Sequence, residues 1–408
     1  MSNSLSTSIF DQSNTFSSFV DDRSWEPGWL ADFRMENWNL YQDKLQSKLK
    51  DENWRFSPKS RFSLSEIDSI ADSKDLLCLE SDNSSNARFL DFNKMILDFP
   101  CEISKITEYL GPELGALSNY HLTSSLFNEG FFLKTEPNSR SKQFFTVRHY
   151  LPSSGTVSFR KNVLVLSPYT EVTILEFIES KQGATGGNLS SVLHAELEEN
   201  AVLNRILVQD ADSDSTLHQF ENFKIGKNAR VNNVCVHLGS AQCRNEIKGD
   251  LSERGAEFDC FSLFLGKGNQ LFDQRTMQLH SAENCRSNLL CKNALNDESK
   301  SVFSGMIKVM PNAANTNSYQ TNRNLLLSNT SEADSLPGLE ILANEVKCSH
   351  GATTSKIDDQ ELFYLLSRGI PKKSAENLIA LGFLDEITSK ITDEQCIELV
   401  RQKIDSRF

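Results

Sequence analysis

The 408-residue sequence contains no apolar run near the roughly 20 residues needed to cross a bilayer, and stretches such as 76–79 are soon interrupted. Basic residues are scarce, because 42 lysines and arginines stand against 55 aspartates and glutamates, a formal charge of -13. This excess opposes general attraction to nucleic acid or anionic lipid. The composition, 38% hydrophobic and 24% charged, predicts a soluble globular protein with no nucleic-acid or membrane partner.

Motifs of several enzyme and metal-site classes are also missing. The sequence has no G-x-x-x-x-G-K-[ST] or G-x-G-x-x-G phosphate loop, no G-x-S-x-G nucleophile elbow and no H-E-x-x-H zinc helix. Its nine cysteines are scattered and include no C-x-x-C pair, which argues against a disulfide framework or a structural zinc site. The first residues are rich in Ser and Asn without a targeting pattern, so we expect 1–24 to be a disordered tail of a cytoplasmic protein.

Two regions with different apolar patterns follow the tail. Residues 25–154 contain all four tryptophans, and the apolar spacing between Trp29 and Leu45 predicts an amphipathic helix in a helical and mixed domain. In residues 155–356, short β-branched and aromatic runs alternate with Gly, Asn and Asp, which predicts strands and leaves no room for long helices.

A turn-then-strand phrase recurs in the strand-rich region, with its alanines 28 and 27 residues apart: Asn200-Ala201-Val202-Leu203, Asn228-Ala229-Arg230-Val231 and Gly255-Ala256-Glu257-Phe258. Such a period is typical of a β-solenoid, whose coils bury their inward faces on their neighbours. A β-sandwich needs no fixed period and is the alternative that the pattern leaves open.

Beyond residue 356 the apolar period becomes helical. Asp358 or Asp359 can cap a helix that ends near Gly369, and Pro371 can begin another that ends near Gly382. We therefore expect a C-terminal helical domain over 357–408, which serves either as a cap over the end of the solenoid or as a docking surface.

One polar segment, residues 346–353, contains side chains of the types that bind metal ions. If this segment is a strand, Cys348 and His350 lie on one face, where a thiolate and an imidazole could hold iron or zinc. The C-x-H spacing alone is weak, and buried structural roles are the alternative. Structural or surface roles are expected for five isolated histidines: His121, His149, His194, His218 and His237. Structural roles are expected for three cysteines in strand contexts: Cys235, Cys260 and Cys291.

The run from Phe272 to Phe383 resembles the SufB/SufD family of iron-sulfur cluster assembly scaffolds. The matching phrases are Asp273-Gln274-Arg275-Thr276 with His280, Phe303-Ser304-Gly305 with Ile307 and Val309, Gln320-Thr321-Asn322-Arg323-Asn324-Leu325-Leu326-Leu327-Ser328, and Leu362-Phe363-Tyr364-Leu365 with Ser367-Arg368-Gly369-Ile370. Glu26-Pro27-Gly28-Trp29-Leu30 with Phe33-Arg34 resembles the family's opening helix. The resemblance implies a mainly β fold, a right-handed parallel β-helix core flanked by N-terminal and C-terminal helical regions.

Within the family, the sequence is similar to the SufD branch. SufB-like chains are expected to carry a sulfur-accepting cysteine where this chain has Ile341, and an alkyl side chain cannot accept sulfur. SufD-like phrases match Pro337-Gly338-Leu339-Glu340-Ile341 and 346–353. Two departures are Asn344-Glu345, in place of the usual pair of aspartates, and residues 354–357, which are more similar to the SufB version.

The resemblance implies a scaffold subunit and not an enzyme. Such a subunit pairs with a SufB-like subunit through the β-helix, binds the SufC ATPase through the C-terminal helices, and forms a SufD homodimer in isolation. A transient iron-sulfur cluster would form at the interface with SufB. His350 is the position implied to receive iron, and Cys348 is either a second ligand or a structural thiol. Whether a reduced flavin serves the complex is left open.

Two other classes of function stay open at this point. One is a purely structural partner of SufB and SufC, in which His350 only packs. The other is a β-helix enzyme acting on carbohydrate, which needs paired acids on one face of the solenoid. The sequence contains no recurring acidic pair at the repeat spacing.

Overall fold

The computed structural model describes residues 9–11, 13–46, 52–64, 67–72, 75–81, 87–100, 114–139, 142–181, 183 and 185–408. Helices and short strands precede the main sheets: α1 (Ser13–Asp21), α2 (Gly28–Gln46), β1 (Ser69–Ile70), β2 (Leu77–Ser81), β3 (Ala87–Asp91), α3 (Phe92–Asp98) and α4 (Leu117–Leu126). Within these described ranges, no helix combines the length and the apolar character of a membrane span.

Sixteen strands then alternate between two sheets, and each consecutive pair makes one coil, so that eight coils stack. The strands are β4 (Phe131–Thr135), β5 (Gln143–Leu151), β6 (Thr156–Leu166), β7 (Glu171–Ser180), β8 (Asn188–Leu197), β9 (Val202–Asp210), β10 (Thr216–Ile225), β11 (Arg230–His237), β12 (Gln242–Leu251), β13 (Glu257–Gly266), β14 (Leu271–His280), β15 (Arg286–Leu295), β16 (Lys300–Val309), β17 (Asn317–Leu326), β18 (Glu332–Ile341) and β19 (Lys347–Lys356). Three helices follow: α5 (Asp359–Ser367), α6 (Lys372–Thr388) and α7 (Glu394–Asp405).

The even-numbered strands from β4 to β18 form the first sheet, and the odd-numbered strands from β5 to β19 form the second sheet. All neighbours within these two series pair in parallel, whereas β2 and β3 add antiparallel strands at the start of each sheet. The predicted β-solenoid with flanking helices is thus confirmed, and the sandwich alternative is wrong. The stack begins at Phe131, before the expected boundary at residue 155.

The recurring Asn-Ala and Gly-Ala phrases are the corners of successive coils. Asn200, Asn228 and Gly255 all have positive φ, and the backbone N–H of each donates to a carbonyl of the next coil. The alanine after each of them is fully buried. A residue that tolerates the left-handed conformation, followed by a small residue, is therefore what fixes the period seen in the sequence.

The N-terminal helices cover the outer face of the first sheet. Phe16 and Phe19 of α1 are buried, and Phe16 stacks on Trp38 with ring centroids 4.8 Å apart. Residues 1–24 were expected to be disordered, but the described part includes this helix because its phenylalanines bury apolar surface. Arg34 of α2 donates twice to Glu26, at 2.8 Å each, and once to the Ser125 carbonyl at 3.0 Å.

The C-terminal helices α6 and α7 pack on the outer face of the second sheet. Leu384, Ile387 and Ile404 are buried against an apolar cluster on this sheet that includes Val236. The helix predicted to end near Gly382 continues to Thr388. A glycine inside a helix costs about 1 kcal/mol relative to alanine, whereas each buried Leu or Ile beyond it contributes roughly 1.5–3 kcal/mol, so packing decides the length.

Lys161 of β6 is a cation buried between the first sheet and the N-terminal helices. Lys161 is 1% exposed, and its Nζ has no hydrogen-bond partner among the described residues. The Nζ lies 4.3 Å from the ring centroid of Phe33 and 5.6 Å from that of Phe127. Burial, and then the charge of Arg34, lowers the pKa of Lys161 to about 7. Burial, and then the charge of Lys161, lowers the pKa of His194 as well.

We predict that Lys161→Met raises the free energy of unfolding, with the largest gain at and below pH 7. The folded-state pKa lies below the unfolded value of 10.5, so the unfolded chain binds more protons between these values and wild-type stability rises with pH through that window. Loss of the cation–π attraction offsets only about 0.5–2 kcal/mol of the gain.

Urea denaturation of both proteins at pH 7 and at pH 10 measures this effect. Lys142→Met is the control, because the Lys142 side chain is 79% exposed and its removal should not change the pH dependence. An equal difference between wild type and Lys161→Met at the two pH values would show that Lys161 is protonated in the folded protein throughout.

Candidate functional site

The last coil, made by β18 and β19, is the open end of the solenoid. β18 pairs only with β16 and β19 only with β17, so both are edge strands in the part of the chain that the structure describes. The outer edge of each therefore presents backbone N–H and C=O groups that lack a ladder partner. Four apolar side chains on or next to β18 are also exposed: Leu336, Leu339, Ile341 and Leu342.

Cys348 and His350 lie on one face of β19, as the sequence predicts. In the register of β17 with β19, Cys348 is opposite Ser318 and His350 is opposite Gln320. Ser318 and Gln320 are buried inside the solenoid, so the face that carries Cys348 and His350 continues the interior surface at the open end.

The two candidate ligands have different surroundings. Cys348 is half-buried and packs beside the apolar cluster of Ile307, Val309 and Ala313. Burial raises the pKa of the Cys348 thiol, which favours the protonated form over the thiolate that binds metal. His350 is exposed at the end of the stack. The imidazole of His350 is therefore more accessible from solvent than the thiol of Cys348.

A ladder of amides and hydroxyls holds the last coil to the one below it. Asn324 donates to Oδ1 of Asn322 at 3.0 Å and to Oγ1 of Thr354 at 3.2 Å, while Ser335 donates to Asn322 at 2.6 Å. One coil further in, Asn293 donates to Asn324 at 2.8 Å. These bonds tie β17 to both edge strands, which positions the strand that carries His350.

A second chain of polar groups leads towards Cys348. The Nε2 atom of His280 and the Ser287 hydroxyl are 2.8 Å apart, and the Ser287 and Ser318 hydroxyls are 2.7 Å apart. Ser318 lies opposite Cys348 in the strand register. Burial lowers the pKa of His280 to about 4, so this imidazole is neutral near pH 7.

Among the residues that the structure describes, no three His, Cys, Asp or Glu side chains converge into a metal-binding group. His350 and Cys348 together offer at most two ligands. Protein-bound iron and zinc usually have about four or more, so a metal held here needs further ligands from another molecule, either sulfide or a second chain.

The other predicted structural residues lie in the interior. All five histidines expected to have structural or surface roles are buried: His121, His149, His194, His218 and His237. Cys235, Cys260 and Cys291 are buried free thiols, whereas Cys101 lies outside the described residues. These side chains are hydrogen-bonded or packed within the fold and are not available at the open end.

A second exposed feature is helix α5, which has no buried residue in the structure. Asp358 caps it by accepting from the backbone N–H of Gln360 at 2.7 Å. Its exposed apolar side chains include Phe363, 71% exposed, and Tyr364, 57% exposed. An amphipathic helix that leaves large aromatic groups in solvent is typical of a protein-binding surface.

The roles of Gln320, Asn322 and Asn324 are not evident from the sequence motif that contains them. Their spacing in the sequence does indicate a shared face, since three amides at every second position of a strand point to the same side. Arg323, between them, points the other way and lies 3.4 Å from Glu386 of α6.

Comparison with known proteins gives consistent matches. A family model described as "SUF system FeS cluster assembly, SufBD core domain" matches residues 149–383. The chain is 29% identical over 380 residues to the iron-sulfur cluster assembly protein SufD of Escherichia coli (strain K12), covering 88% of each chain. It is 30% identical over 276 residues to an iron-sulfur cluster assembly SufBD family protein of Mycobacterium bovis, covering 65% of this chain and 68% of the relative.

We predict that Cys260→Ser lowers the free energy of unfolding by about 1 kcal/mol or more, because a hydroxyl is costlier than a thiol to bury in a packed core. Cys260 is 1% exposed and burial raises the pKa of its thiol. Cys348→Ser, at a half-buried position, is the matched control and should cost less. Chemical denaturation of both variants measures the difference, and equal losses would contradict the distinction between interior and end-of-stack thiols.

Proposed function

The chain belongs to the SufBD family of the SUF iron-sulfur cluster assembly system, and from that premise we propose that it is the SufD-type scaffold subunit of a complex with a SufB-like subunit and the SufC ATPase. In this proposal it acts in the cytoplasm. The eight cysteines among the described residues are free thiols, which is consistent with a reducing compartment.

The open end of the solenoid is the proposed surface for pairing with SufB. Two strand edges that have no partner in the described part of the chain, together with four exposed apolar side chains, support this assignment, because an open edge strand is a template for pairing with another chain. In the absence of SufB, the same surface would pair with a second copy of this chain and give a homodimer.

His350 is the proposed site at which iron is acquired. The observation that carries this proposal is the location of an exposed imidazole on the interior-facing side of the last strand, at an edge where a second chain can supply further ligands. A neutral imidazole is a good ligand for iron. Iron and sulfide are the cargo of this reaction, and the cluster would form transiently at the interface with SufB.

The domain at 357–408 is the proposed docking site for SufC. Helix α5 projects from the body with Phe363 and Tyr364 in solvent, while α6 and α7 are fixed to the second sheet. The sequence has no phosphate-binding loop, so in this proposal SufC supplies all ATP hydrolysis.

We predict that His350→Ala leaves the fold and the three-subunit complex intact but abolishes cluster formation, because a methyl group has no lone pair to give to iron. Iron and acid-labile sulfide per complex, measured after anaerobic purification, report the loss, and gel filtration reports assembly. His350→Cys should recover more iron than His350→Asn, since thiolate is a good iron ligand.

Ser349→Ala is the matched control for the His350 variants. Ser349 is exposed on the same strand but points to the opposite face, so its loss should change neither iron content nor assembly. Normal iron and sulfide in His350→Ala would leave the chain as a purely structural partner, which is the alternative to this proposal.

We predict that Phe363→Ser weakens association with SufC at least tenfold without changing the thermal stability of the chain, because this side chain is 71% exposed and no residue of α5 is buried. Arg368→Ala and Lys372→Ala should have smaller effects. Leu97→Ser, at a 60% exposed residue of α3, is the control. Titration calorimetry with purified SufC measures the affinities, and unchanged binding of Phe363→Ser would exclude α5 as the docking helix.

A further inference from the structure

Gln320 lies directly beneath His350 in the stack. The two residues are register partners in the parallel pair β17 and β19, and both side chains belong to the interior-facing side. Neighbouring parallel strands are about 4.8 Å apart, so side chains at paired positions on one face are neighbours. Gln320 is 1% exposed, which means that the last coil covers it almost completely.

The two ends of the Gln320 amide have different partners. Its Nε2 donates to the backbone carbonyl of Gly305 at 3.2 Å, and this acceptor fixes which end of the amide is nitrogen. Its Oε1 is buried and has no hydrogen-bond partner in the described ranges. A buried acceptor without a partner destabilises the folded chain, so a ligand or side chain that could donate to this oxygen is expected nearby.

Gly305 provides the space in which this amide lies. A Cβ atom added at Gly305 would be 2.5 Å from Oε1 of Gln320 and 2.6 Å from its Cδ. A side chain at position 305 would therefore displace the amide. Two motifs that are separate in the sequence therefore meet in the solenoid, because Gln320 of the motif 320–322 packs against Gly305 of the motif 303–305.

We propose that Gln320 is a positioning residue for His350: its Oε1, which has no other partner among the described residues, can accept the N–H of one imidazole nitrogen and so leave the lone pair of the other nitrogen free for iron. A histidine that binds metal almost always donates its second ring N–H to a nearby acceptor, which fixes the tautomer and the ring orientation. The role in iron binding rests on the proposed function of His350, but the hydrogen bond itself does not.

Two substitutions separate this role from a structural one. Gln320→Met keeps the length of the side chain but removes both the donor to Gly305 and the acceptor for His350. The ionised form of Gln320→Glu also loses the donor to Gly305 and keeps an acceptor oxygen. If Gln320 has a purely structural role, both variants should disturb His350 and lower the iron content. If it positions His350, only Gln320→Met should do so.

The primary measurement is the pair of ring ¹⁵N chemical shifts of His350 in the isolated chain at pH 8.5. The other six histidines are buried, and the His350 signals are assigned by their loss in His350→Ala. We expect well-separated shifts of a single tautomer in wild type and in Gln320→Glu, and averaged shifts of two exchanging tautomers in Gln320→Met. Wild-type shifts in Gln320→Met would overturn the proposal.

Gly305→Ala gives an independent variant that does not alter Gln320 itself. The displaced group is the end of a flexible side chain, so the fold should persist while the amide moves away from His350. Gly305→Ala should therefore reproduce the averaged shifts of Gln320→Met. Averaging in Gln320→Met but not in Gly305→Ala would contradict the geometry on which the proposal depends.

The iron and sulfide content of the assembled complex tests the functional part. We expect at least a fivefold loss in Gln320→Met and near-normal content in Gln320→Glu. Normal content in Gln320→Met, together with averaged shifts, would show that the tautomer is irrelevant to iron and overturn that part. Normal content in His350→Ala would instead refute the function of His350 and leave the hydrogen bond to be decided by the shifts alone.

Discussion

Each coil of the solenoid depends on hydrogen bonds and buried surface that its neighbours supply. The corner residues Asn200, Asn228 and Gly255 illustrate the constraint, because each donates its backbone N–H to the following coil. A coil with neighbours on both sides satisfies its backbone within the stack. Among the residues that the structure describes, the last coil has a neighbour on one side only, so its outer edge is left without partners. The location of the candidate site follows from this incomplete stacking.

The charged groups inside the solenoid restrict how the coils can align. Nε of Arg205 lies 2.7 Å from Glu176 in the same sheet, and Nη1 of Arg205 lies 3.1 Å from Glu221 in the other sheet. A slip of one residue would turn inward side chains outward, but a slip of two would keep apolar side chains inside. It would also separate Arg205 from its carboxylates, and breaking a buried ion pair costs about 3–5 kcal/mol. The polar interior thus distinguishes alignments that the apolar core does not.

Sequence patterns predicted features that depend on local geometry and missed those that depend on packing between distant segments. The Asn200-Ala201 corner recurs because its conformation is local, and the shared face of Cys348 and His350 follows from strand alternation alone. The continuation of α6 past Gly382 depends on contacts with the second sheet, which no local pattern contains. The contact of Gln320 with Gly305 depends on how two strands in different sheets face each other across the solenoid interior, so neither motif could indicate it alone.

If His350 receives iron at the open end of the solenoid, iron binding and association with the partner chain are thermodynamically coupled. The chain alone offers at most two ligands, so an iron ion bound firmly at this edge must also contact the partner or its sulfide. Binding that requires both chains stabilises their association by the same free energy with which association increases the affinity for iron. Loss of the metal on cluster transfer would then remove that contribution and weaken the pairing at this edge. The open strands at the end of the solenoid would therefore couple cluster assembly to the state of the complex.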